Sequence, residues 1–366
     1  MSLMKGIDEI AILNDFPPNV GVTEYSKTLY NNLLQNGVNA KFHQFGKSDM
    51  LLNATSDIVS YNATRFYTPW DLELNKLLKL NIKAFSKIKS DIIHLSNPSL
   101  LPVQNRSQTY IVTLHDLYYL HFKSNSRLMS RFYKMSYNYL PTAQNITVVS
   151  EFTKEIAMSE LGLDEQFLHV VYPAIDLDTF RPNSEMFYDS KIKQDKIKIL
   201  HVGYDSPNKN LKSLYYALQQ LPKEYELIRV GKNTSYSLNL IKKLNLEDRV
   251  TFFPNIATKQ ALSEIYRSAD LFIFPSLYEG FGIPVIEALA SGLPTIVSSI
   301  KPLIEVVGNV GAIIEPTIEG IKNGILSTKD VKEDSNVISK SRNRAGHFSL
   351  NKQFKLISEL YKKVVG

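Results

Sequence analysis

Glu279 and Glu287 stand eight positions apart in a chain of 366 residues, and a Gly-Phe-Gly turn lies between them. Carboxylates accept hydrogen bonds from sugar hydroxyl groups, and glycines allow a ligand to approach the main chain closely. Pro284 stands where a helix would begin, and the N-terminus of a helix attracts anions through its free N–H groups and its dipole. Together these residues predict a site for a ligand with both hydroxyl and phosphate groups. Taken singly, each glutamate fits an ordinary solvated loop or helix start equally well.

The residues around the two glutamates predict the elements that position them. Leu271–Phe274 is a short, continuous apolar run, which is typical of a strand buried on both faces. A helix follows Pro284 and ends at Gly292, and residues 295–297 form a second buried strand. Ligands of open parallel sheets bind at the carboxyl ends of the strands, which is where this glycine loop is expected.

Composition and charge set the broad class of the protein. A hydrophobic content of 44% over 366 residues indicates a globular chain of about two domains. The absence of cysteine excludes disulfides, cysteine nucleophiles and thiolate zinc sites, and the 7 histidines include no pair four residues apart, so we expect no metal centre. No apolar run approaches the ~20 residues of a membrane span, and the N-terminus has no signal-peptide pattern. The net charge of +6 is compatible with anionic partners.

Strands and helices alternate in two successive runs, which predicts an α/β fold with parallel sheets and helices on both faces. The first run contains strands at 7–14, 91–95, 110–114, 145–149 and 168–172 and helices at 23–36 and after a Ser150 cap. The second run contains strands at 197–203, 226–231, 249–253, 271–274 and 295–297 and helices at 210–219, 237–244 and 259–268.

We therefore predict two Rossmann-like domains whose parallel sheets face each other across a cleft. The N-terminal domain covers 1–175, a polar linker covers 176–196, and the C-terminal domain covers 197–346. A final amphipathic helix lies within 347–366. The sequence leaves open whether this helix packs on the C-terminal domain or crosses back to the N-terminal one.

The string from Glu279 to Glu287 resembles the E-x7-E signature of retaining GT-B glycosyltransferases, specifically family 4. Other segments agree with this family in order and spacing, and the resemblance extends over nearly the whole chain, most weakly over 48–90. These segments are 112–117 (Val-Thr-Leu-His-Asp-Leu), 149–153, 171–182 and 201–210. The resemblance implies a GT-B fold, with an acceptor-side N-terminal domain and a C-terminal domain that binds a nucleotide sugar.

The resemblance also implies a role for each candidate site residue. Glu279 is expected at the transferred sugar, Glu287 at the ribose hydroxyls and Lys209 at the leaving diphosphate. His115 is expected to act with Glu279 and Lys209 in catalysis, and together with Gly21 it marks the acceptor side. The further donor-binding residues are Gly203, Asn208, Asn255, Ile256, Gly280, Phe281 and Gly282. Ordinary structural roles stay open for three of these positions: a core histidine at 115, a turn glycine at 21 and a solvated lysine at 209.

Two departures from the family pattern concern the donor phosphates. Val22 follows Gly21 where the family has paired glycines, and Asn208 precedes Lys209 where the family's diphosphate clamp pairs an arginine with the lysine. The loss of one cation beside a diphosphate costs ~1–3 kcal/mol if nothing replaces it. Both departures bear on how tightly the donor binds.

The activity that the resemblance implies is that of a hexosyltransferase. The donor is a nucleotide-diphosphate sugar (UDP or GDP), used as a co-substrate without any cofactor or metal, and the acceptor is a hydroxyl of a glycan, glycolipid or lipid-linked molecule. The anomeric configuration is kept, and catalysis rests on positioning and on charge stabilisation of an oxocarbenium-like transition state. Two alternatives stay open: a 2-epimerase-like GT-B enzyme of sugar nucleotides, and a catalytically weak GT-B partner subunit.

Lysines alternate with apolar residues over 71–90, which predicts a basic amphipathic helix. Its basic residues, with those that follow it, are Lys76, Lys79, Lys83, Lys87, Lys89, Arg127, Arg131 and Lys134. Such a helix can lie on an anionic membrane surface, which gives the hypothesis of a cytoplasmic enzyme that visits the inner leaflet; the alternative is an ordinary solvated face. Aromatic residues are not interleaved with these basic runs, so we expect no nucleic-acid partner.

Overall fold

The structure, a computed structural model, describes residues 4, 6–16, 21–46, 58–62, 88–103, 108–122, 133–182, 196–328 and 335–366. The chain divides into two compact units. The first unit comprises Met1–Ala174 and Leu350–Gly366, and the second comprises Ile175–Ser349. Each unit contains a parallel sheet with helices, so the predicted α/β class with two parallel sheets is confirmed.

Within the described residues, the sheet of the first unit has seven parallel strands in the order β3-β2-β1-β4-β5-β6-β7. The strands are β1 (Ile10–Asn14), β2 (Ala40–Gly46), β3 (Ile58–Asn62), β4 (Ile92–Leu95), β5 (Tyr110–Leu114), β6 (Ile146–Val148) and β7 (Leu168–Val170). Among the described residues before the second unit, the two longest helices are α1 (Gly21–Gln35) and α2 (Glu151–Leu161). The sequence did not predict β2, because Lys41, His43 and Gln44 interrupt the apolar run that marks a buried strand.

The sheet of the second unit has six parallel strands among the described residues, in the order β10-β9-β8-β11-β12-β13. They are β8 (Ile197–Val202), β9 (Tyr225–Val230), β10 (Val250–Phe253), β11 (Leu271–Phe274), β12 (Thr295–Ser298) and β13 (Ala312–Ile314). The helices are α3 (Leu211–Gln220), α4 (Ser235–Lys243), α5 (Lys259–Ser268), α6 (Ile283–Ala290), α7 (Lys301–Val307), α8 (Ile318–Thr328) and α9 (Ser335–Ala345). The elements predicted here from 197 to 297 begin and end within two residues of those observed.

The C-terminal helix α10 (Leu350–Val365) belongs to the first unit. The Asn32 side chain of α1 donates a hydrogen bond to the Leu350 carbonyl oxygen at 2.8 Å, and Gln353 donates to the Tyr172 carbonyl oxygen at 3.2 Å. The helix therefore packs on the N-terminal part of the chain, which is one of the two options that the sequence left open.

The basic helix expected over 71–90 falls outside the described residues except for 88–90, and so do Arg127 and Arg131. Its membrane contact thus stays a prediction. In the described part of the chain, no helix combines the length and the apolar character that crossing a membrane requires.

His94 joins α10 to the centre of the first sheet through a buried polar network. The Nδ1 atom of His94 lies 2.7 Å from the Tyr361 hydroxyl of α10, and its Nε2 atom lies 2.7 Å from the Thr113 hydroxyl of β5. Thr113 in turn lies 2.8 Å from the hydroxyl of Thr147 on β6. Burial, and to a lesser degree the neighbouring His115, lowers the pKa of His94 to about 3. The ring is therefore neutral in the folded chain near neutral pH.

Gly282 fixes the start of α6. It stands immediately before the first residue of the helix with a φ of +117°, a conformation that residues with a Cβ rarely adopt. A Cβ atom at this position would lie 2.8 Å from Leu303 Cδ2 of α7 and 3.4 Å from Val285 Cγ2. Both the backbone angle and the close approach of α7 require a glycine here.

We expect acid to destabilise the first unit through His94. An unfolded histidine titrates near 6.5, so between pH ~6.5 and the folded pKa of about 3 the unfolded chain binds more protons. The stabilisation that comes from the neutral His94 ring is fully present above that range. It falls by about 1.4 kcal/mol per pH unit as the pH drops through the range. In the wild type, the free energy of urea unfolding should fall between about pH 7 and about pH 5. In His94→Gln this fall should be smaller by about 2 kcal/mol. His121→Gln, at a surface histidine, is the control, and an unchanged difference in His94→Gln would contradict the assignment.

We expect Gly282→Ala to lower the free energy of unfolding of the second unit by about 1–3 kcal/mol, because the new methyl group strains the backbone and meets Leu303. Gly21→Ala is the matched control, since a Cβ at Gly21 would meet no atom of the described residues within 4 Å. Urea unfolding followed by circular dichroism measures both. Equal effects of the two substitutions would show that the start of α6 tolerates a side chain.

Candidate active site

Lys209 and Glu279, which the sequence separates by 70 positions, are in direct contact in the second unit. Lys209 lies in the loop after β8 and Glu279 in the loop after β11, and these two strands are neighbours in the sheet. The Lys209 Nζ atom lies 2.6 Å from Glu279 Oε1 and 4.6 Å from the centre of the Phe274 ring. The side chains are 15% and 12% exposed, so the ion pair is largely shielded from water and still reachable. The geometry places a cation and a carboxylate side by side.

Asn208 joins the same two loops and adds no charge. Its side chain is buried; Oδ1 accepts a hydrogen bond from Ser206 Oγ at 2.7 Å, and Nδ2 donates to the Tyr278 carbonyl oxygen at 3.0 Å. The Asn208 carbonyl oxygen accepts from the Leu277 N–H at 2.7 Å. The structure thus gives Asn208 a role in holding the loop that presents Lys209. Donor binding by Asn208 stays a prediction.

Gly280, Phe281 and Gly282 connect Glu279 to α6, and all three are buried. The Phe281 ring packs edge-on against Phe348, with 5.3 Å between the ring centres. The side chain of Phe281 therefore belongs to the core of the second unit. Donor binding through the main chain of this loop stays a prediction.

Glu287 lies just over one turn into α6 and is 9% exposed. Its Oε2 atom accepts a hydrogen bond from the hydroxyl of Tyr266, on α5, at 2.8 Å. Burial, together with the charge of Glu287, raises the pKa of Tyr266 well above its usual value, so the hydroxyl keeps its proton. Tyr266 therefore orients the second carboxylate. The sequence did not predict this residue, because nothing in the pattern of α5 pointed to a partner 21 positions away.

The remaining predicted donor residues lie at the same carboxyl edge of the second sheet. Gly203 directly follows β8, and Asn255 and Ile256 follow β10, which is two strands away from β8. Asn255 is exposed and Ile256 is partly buried. Among the residues that the structure describes, no three histidine, aspartate or glutamate side chains gather in a way that could hold a metal ion.

His115 and Gly21 belong to the first unit. His115 follows β5, and its Nε2 atom lies 2.9 Å from the Ser96 carbonyl oxygen; a carbonyl only accepts, so Nε2 carries the proton and Nδ1 is an acceptor. Burial lowers the pKa of His115 to about 4, so the ring is neutral near neutral pH. The Tyr25 ring packs edge-on against it at 5.0 Å. Gly21 is the exposed first residue of α1, and within the part of the chain that the structure describes a Cβ atom here would have no neighbour within 4 Å.

A buried carboxylate at the carboxyl edge of the first sheet was not predicted. Asp15 follows β1, and its two oxygens accept hydrogen bonds from Asn97 Nδ2 at 2.5 Å and from Ser99 Oγ at 2.6 Å. Burial raises the pKa of Asp15. The signal was present in the sequence, because polar residues directly after buried strands mark the edge where ligands of parallel sheets bind.

Comparison with known proteins gives a family match for each half of the chain. Residues 20–179 match the family described as Glycosyltransferase Family 4. Residues 183–345 match the family described as Glycosyl transferases group 1. The two matched stretches follow each other with three residues between them, so the likeness continues through both units.

Two curated relatives illustrate the likeness. The chain is 28% identical over 258 residues to the O-antigen chain mannosyltransferase RfbU of Salmonella typhimurium, which is 69% of this chain and 68% of that protein. It is 28% identical over 210 residues to the D-inositol 3-phosphate glycosyltransferase of Mycolicibacterium smegmatis, which is 55% of this chain and 46% of that protein. The second match thus spans about half of the relative.

Two solved structures share the fold over almost the entire chain. Sucrose-phosphate synthase from Thermosynechococcus elongatus matches with a TM-score of 0.80 and 20% identity, covering 98% of this chain and 99% of that one. Anabaena HepE in complex with UDP and glucose matches with a TM-score of 0.76 and 17% identity, covering 97% and 99%. These likenesses confirm the predicted GT-B fold. The N-terminal stretch thus matches Glycosyltransferase Family 4 and the C-terminal stretch matches Glycosyl transferases group 1, which confirms the predicted resemblance and the prediction of an enzyme that transfers glycosyl groups.

Proposed function

We propose that this chain is a retaining, metal-independent hexosyltransferase. It moves a hexose from a UDP or GDP sugar to a hydroxyl of a glycan, glycolipid or lipid-linked acceptor. The observation that carries the proposal is the ion pair of Lys209 and Glu279, with 2.6 Å between Nζ and Oε1, in loops at the carboxyl edge of the second sheet. This pair combines a cation suited to a phosphate with a carboxylate suited to sugar hydroxyls.

The phosphate end of the donor is assigned to Lys209 and the start of α6. An ammonium group neutralises charge on the departing diphosphate, and the free N–H groups at a helix N-terminus add to its stabilisation. A carboxylate beside a phosphate would repel it. Glu279 and Glu287 therefore accept hydrogen bonds from hydroxyl groups, Glu279 from the transferred sugar and Glu287 from the ribose.

The reaction is a displacement on one face of the sugar. The bond between the anomeric carbon and the β-phosphate oxygen breaks, and the acceptor oxygen forms its bond to the anomeric carbon on the same face. The acceptor proton passes to the departing phosphate oxygen. Lys209 stabilises the negative charge that develops on the diphosphate, so most of the catalysis comes from positioning and charge.

His115 serves as a neutral hydrogen-bond acceptor in this scheme. Its Nε2–H is used by the Ser96 carbonyl, which leaves the Nδ1 lone pair for a hydroxyl of the transferred sugar or the acceptor. With a pKa of about 4, the ring does not act as an acid near neutral pH. Gly21 is assigned to the acceptor side because of the family resemblance, and its exposure is compatible with that role.

The named relatives support the substrate classes. RfbU is called a mannosyltransferase, and the HepE structure holds UDP and glucose, so a hexose and a nucleoside diphosphate are the first choices for this chain. The basic residues over 71–90 support an acceptor at an anionic lipid surface on the cytoplasmic side.

Lys209→Ala should reduce kcat/KM for transfer from UDP- or GDP-hexoses by about 100-fold or more, because the leaving diphosphate loses its cation. Lys212→Ala is the matched control, since Lys212 is an exposed lysine on α3 in the same part of the chain. Slow hydrolysis of the donor without an acceptor gives the same comparison when the acceptor is unknown. Undiminished turnover in Lys209→Ala would rule out the assignment.

The product should keep the anomeric configuration of the donor, because attack and departure take place on the same face. An α-linked donor would give an α-linked product, which proton NMR of the fresh product identifies from the anomeric coupling. A product of inverted configuration would reject the front-face mechanism and leave the family assignment intact.

A further inference from the structure

Arg229 is a fully buried arginine in β9 of the second unit, with 0% of its surface exposed. Its Nη1 group donates a hydrogen bond to the Val230 carbonyl oxygen. Its Nε and Nη2 atoms have no hydrogen-bond partner among the described residues. In strand alternation Arg229 shares a face with Leu227, which belongs to the apolar core. A guanidinium therefore occupies a position where a core side chain would be expected, and its charge is only partly compensated.

His201 lies opposite Arg229 in the register of β8 and β9 and is also fully buried. Neither ring nitrogen of His201 has a hydrogen-bond partner in the described part of the chain. Burial lowers the pKa of His201 well below its usual value, and the positive charges of Arg229 and Lys209 lower it further. The imidazole is therefore neutral, and the positive charges of Arg229 and Lys209 both act on this buried ring.

Two glycines bring these charges together. A Cβ on Gly231 would lie 3.1 Å from Arg229 Nη1 and 2.2 Å from the Gly203 carbonyl oxygen. A Cβ on Gly203 would lie 3.6 Å from Lys209 Cε. Arg229 and Lys209 thus lie next to the main chain where the loops after β8 and β9 meet. Because Gly231 has no side chain, the Arg229 guanidinium and the Gly203 carbonyl oxygen both lie close to its main chain.

We propose that Arg229 is the second cation of the diphosphate site, in place of a cation on the loop where Asn208 stands. The inference rests on the proposed function in that the anion is the diphosphate of the donor. Arg229 does not touch the ligand; it holds positive charge beneath Gly203 and Gly231, in a poorly screened interior where charges interact over several ångströms.

The charges near Lys209 explain why a second cation is needed. Glu279 pairs with Lys209 at 2.6 Å and neutralises much of its field. Asp205 and Tyr215 both act on Arg229 electrostatically, and Asp205 Oδ2 also accepts hydrogen bonds from the Thr234 N–H at 2.7 Å and the Thr234 hydroxyl at 2.6 Å, neutral donors that share its charge without cancelling it. Lys209 with Glu279 alone offers almost no net positive charge to a diphosphate. Arg229 restores it.

Arg249 shows what a structural arginine looks like in the same unit. Its Nε group donates to the Tyr225 carbonyl oxygen at 3.0 Å and its Nη2 group to the Pro222 carbonyl oxygen at 2.8 Å, so it ties β9 to its neighbours. Among the described residues Arg229 has one such bond, to the Val230 carbonyl oxygen, and Tyr215 acts on it electrostatically. A buried charge with unpaired donors costs stability, and costs of this kind concentrate at functional sites.

The test uses inorganic pyrophosphate as the probe, which avoids any assumption about the nucleotide base. Isothermal titration calorimetry at low salt should show that Arg229→Met raises the Kd for pyrophosphate about tenfold, since one unit charge is lost from the site. The stability of Arg229→Met should equal or exceed that of the wild type, because an incompletely paired buried charge is replaced by an apolar chain. Arg249→Met, the matched control, should lose stability and keep its affinity for pyrophosphate.

Arg229→Gln decides the question if the methionine variant fails to fold, because it keeps hydrogen-bond donors and removes the charge; it should weaken pyrophosphate binding to the same extent. Equal affinities of the wild type and the Arg229 variants, or no binding by the wild type, would overturn the inference. Transfer from UDP- and GDP-hexoses, measured in parallel, tests the proposed function separately. If pyrophosphate binding depends on Arg229 but no transfer is found, the inference stands and the proposed function falls. If transfer is found and is unaffected in the Arg229 variants, the proposed function stands and the inference falls.

Discussion

The candidate site exists because β8 and β11 are neighbours in a parallel sheet. All strands of such a sheet end at one edge, so the loop with Lys209 and the loop with Glu279 leave the sheet side by side although 70 residues separate them in sequence. Main-chain and side-chain hydrogen bonds of Asn208 then fasten the two loops to each other. Without this adjacency, the lysine would be a solvated surface charge and the glutamate an ordinary loop residue.

Each candidate side chain is held by a partner before any ligand is present. Lys209 is held by Glu279, the Glu287 carboxylate by the Tyr266 hydroxyl, and the His115 ring by a main-chain carbonyl. Such partners fix the rotamers of the site during folding, so less conformational entropy is lost when a substrate binds. The rate of a transfer reaction that depends on positioning benefits directly from this arrangement.

Periodicity and turn residues predicted most of the second sheet and the cap of α2, where Ser150 Oγ accepts a hydrogen bond from the Thr153 N–H at 2.9 Å. They did so because a buried strand between turns and a capped helix are local patterns. They failed for β2, whose polar residues hide the strand, and for the contact between Tyr266 and Glu287. A contact between two helices, such as that of Tyr266 with Glu287, depends on which helices the sheet places side by side. No local sequence pattern predicts such a contact. The charge of Arg229 inside an apolar strand was visible in the sequence, but its surroundings were not.

The attachment of α10 to the first unit has a consequence for how the chain folds during synthesis. The last helix, Leu350–Val365, supplies the Tyr361 hydroxyl that pairs with His94 and the backbone carbonyl that accepts from Asn32. Until it emerges from the ribosome, both buried side chains lack these partners, and unpaired buried polar groups are costly. The second unit, whose residues are contiguous, is complete first. We therefore expect the half of the protein that is translated first to finish folding last.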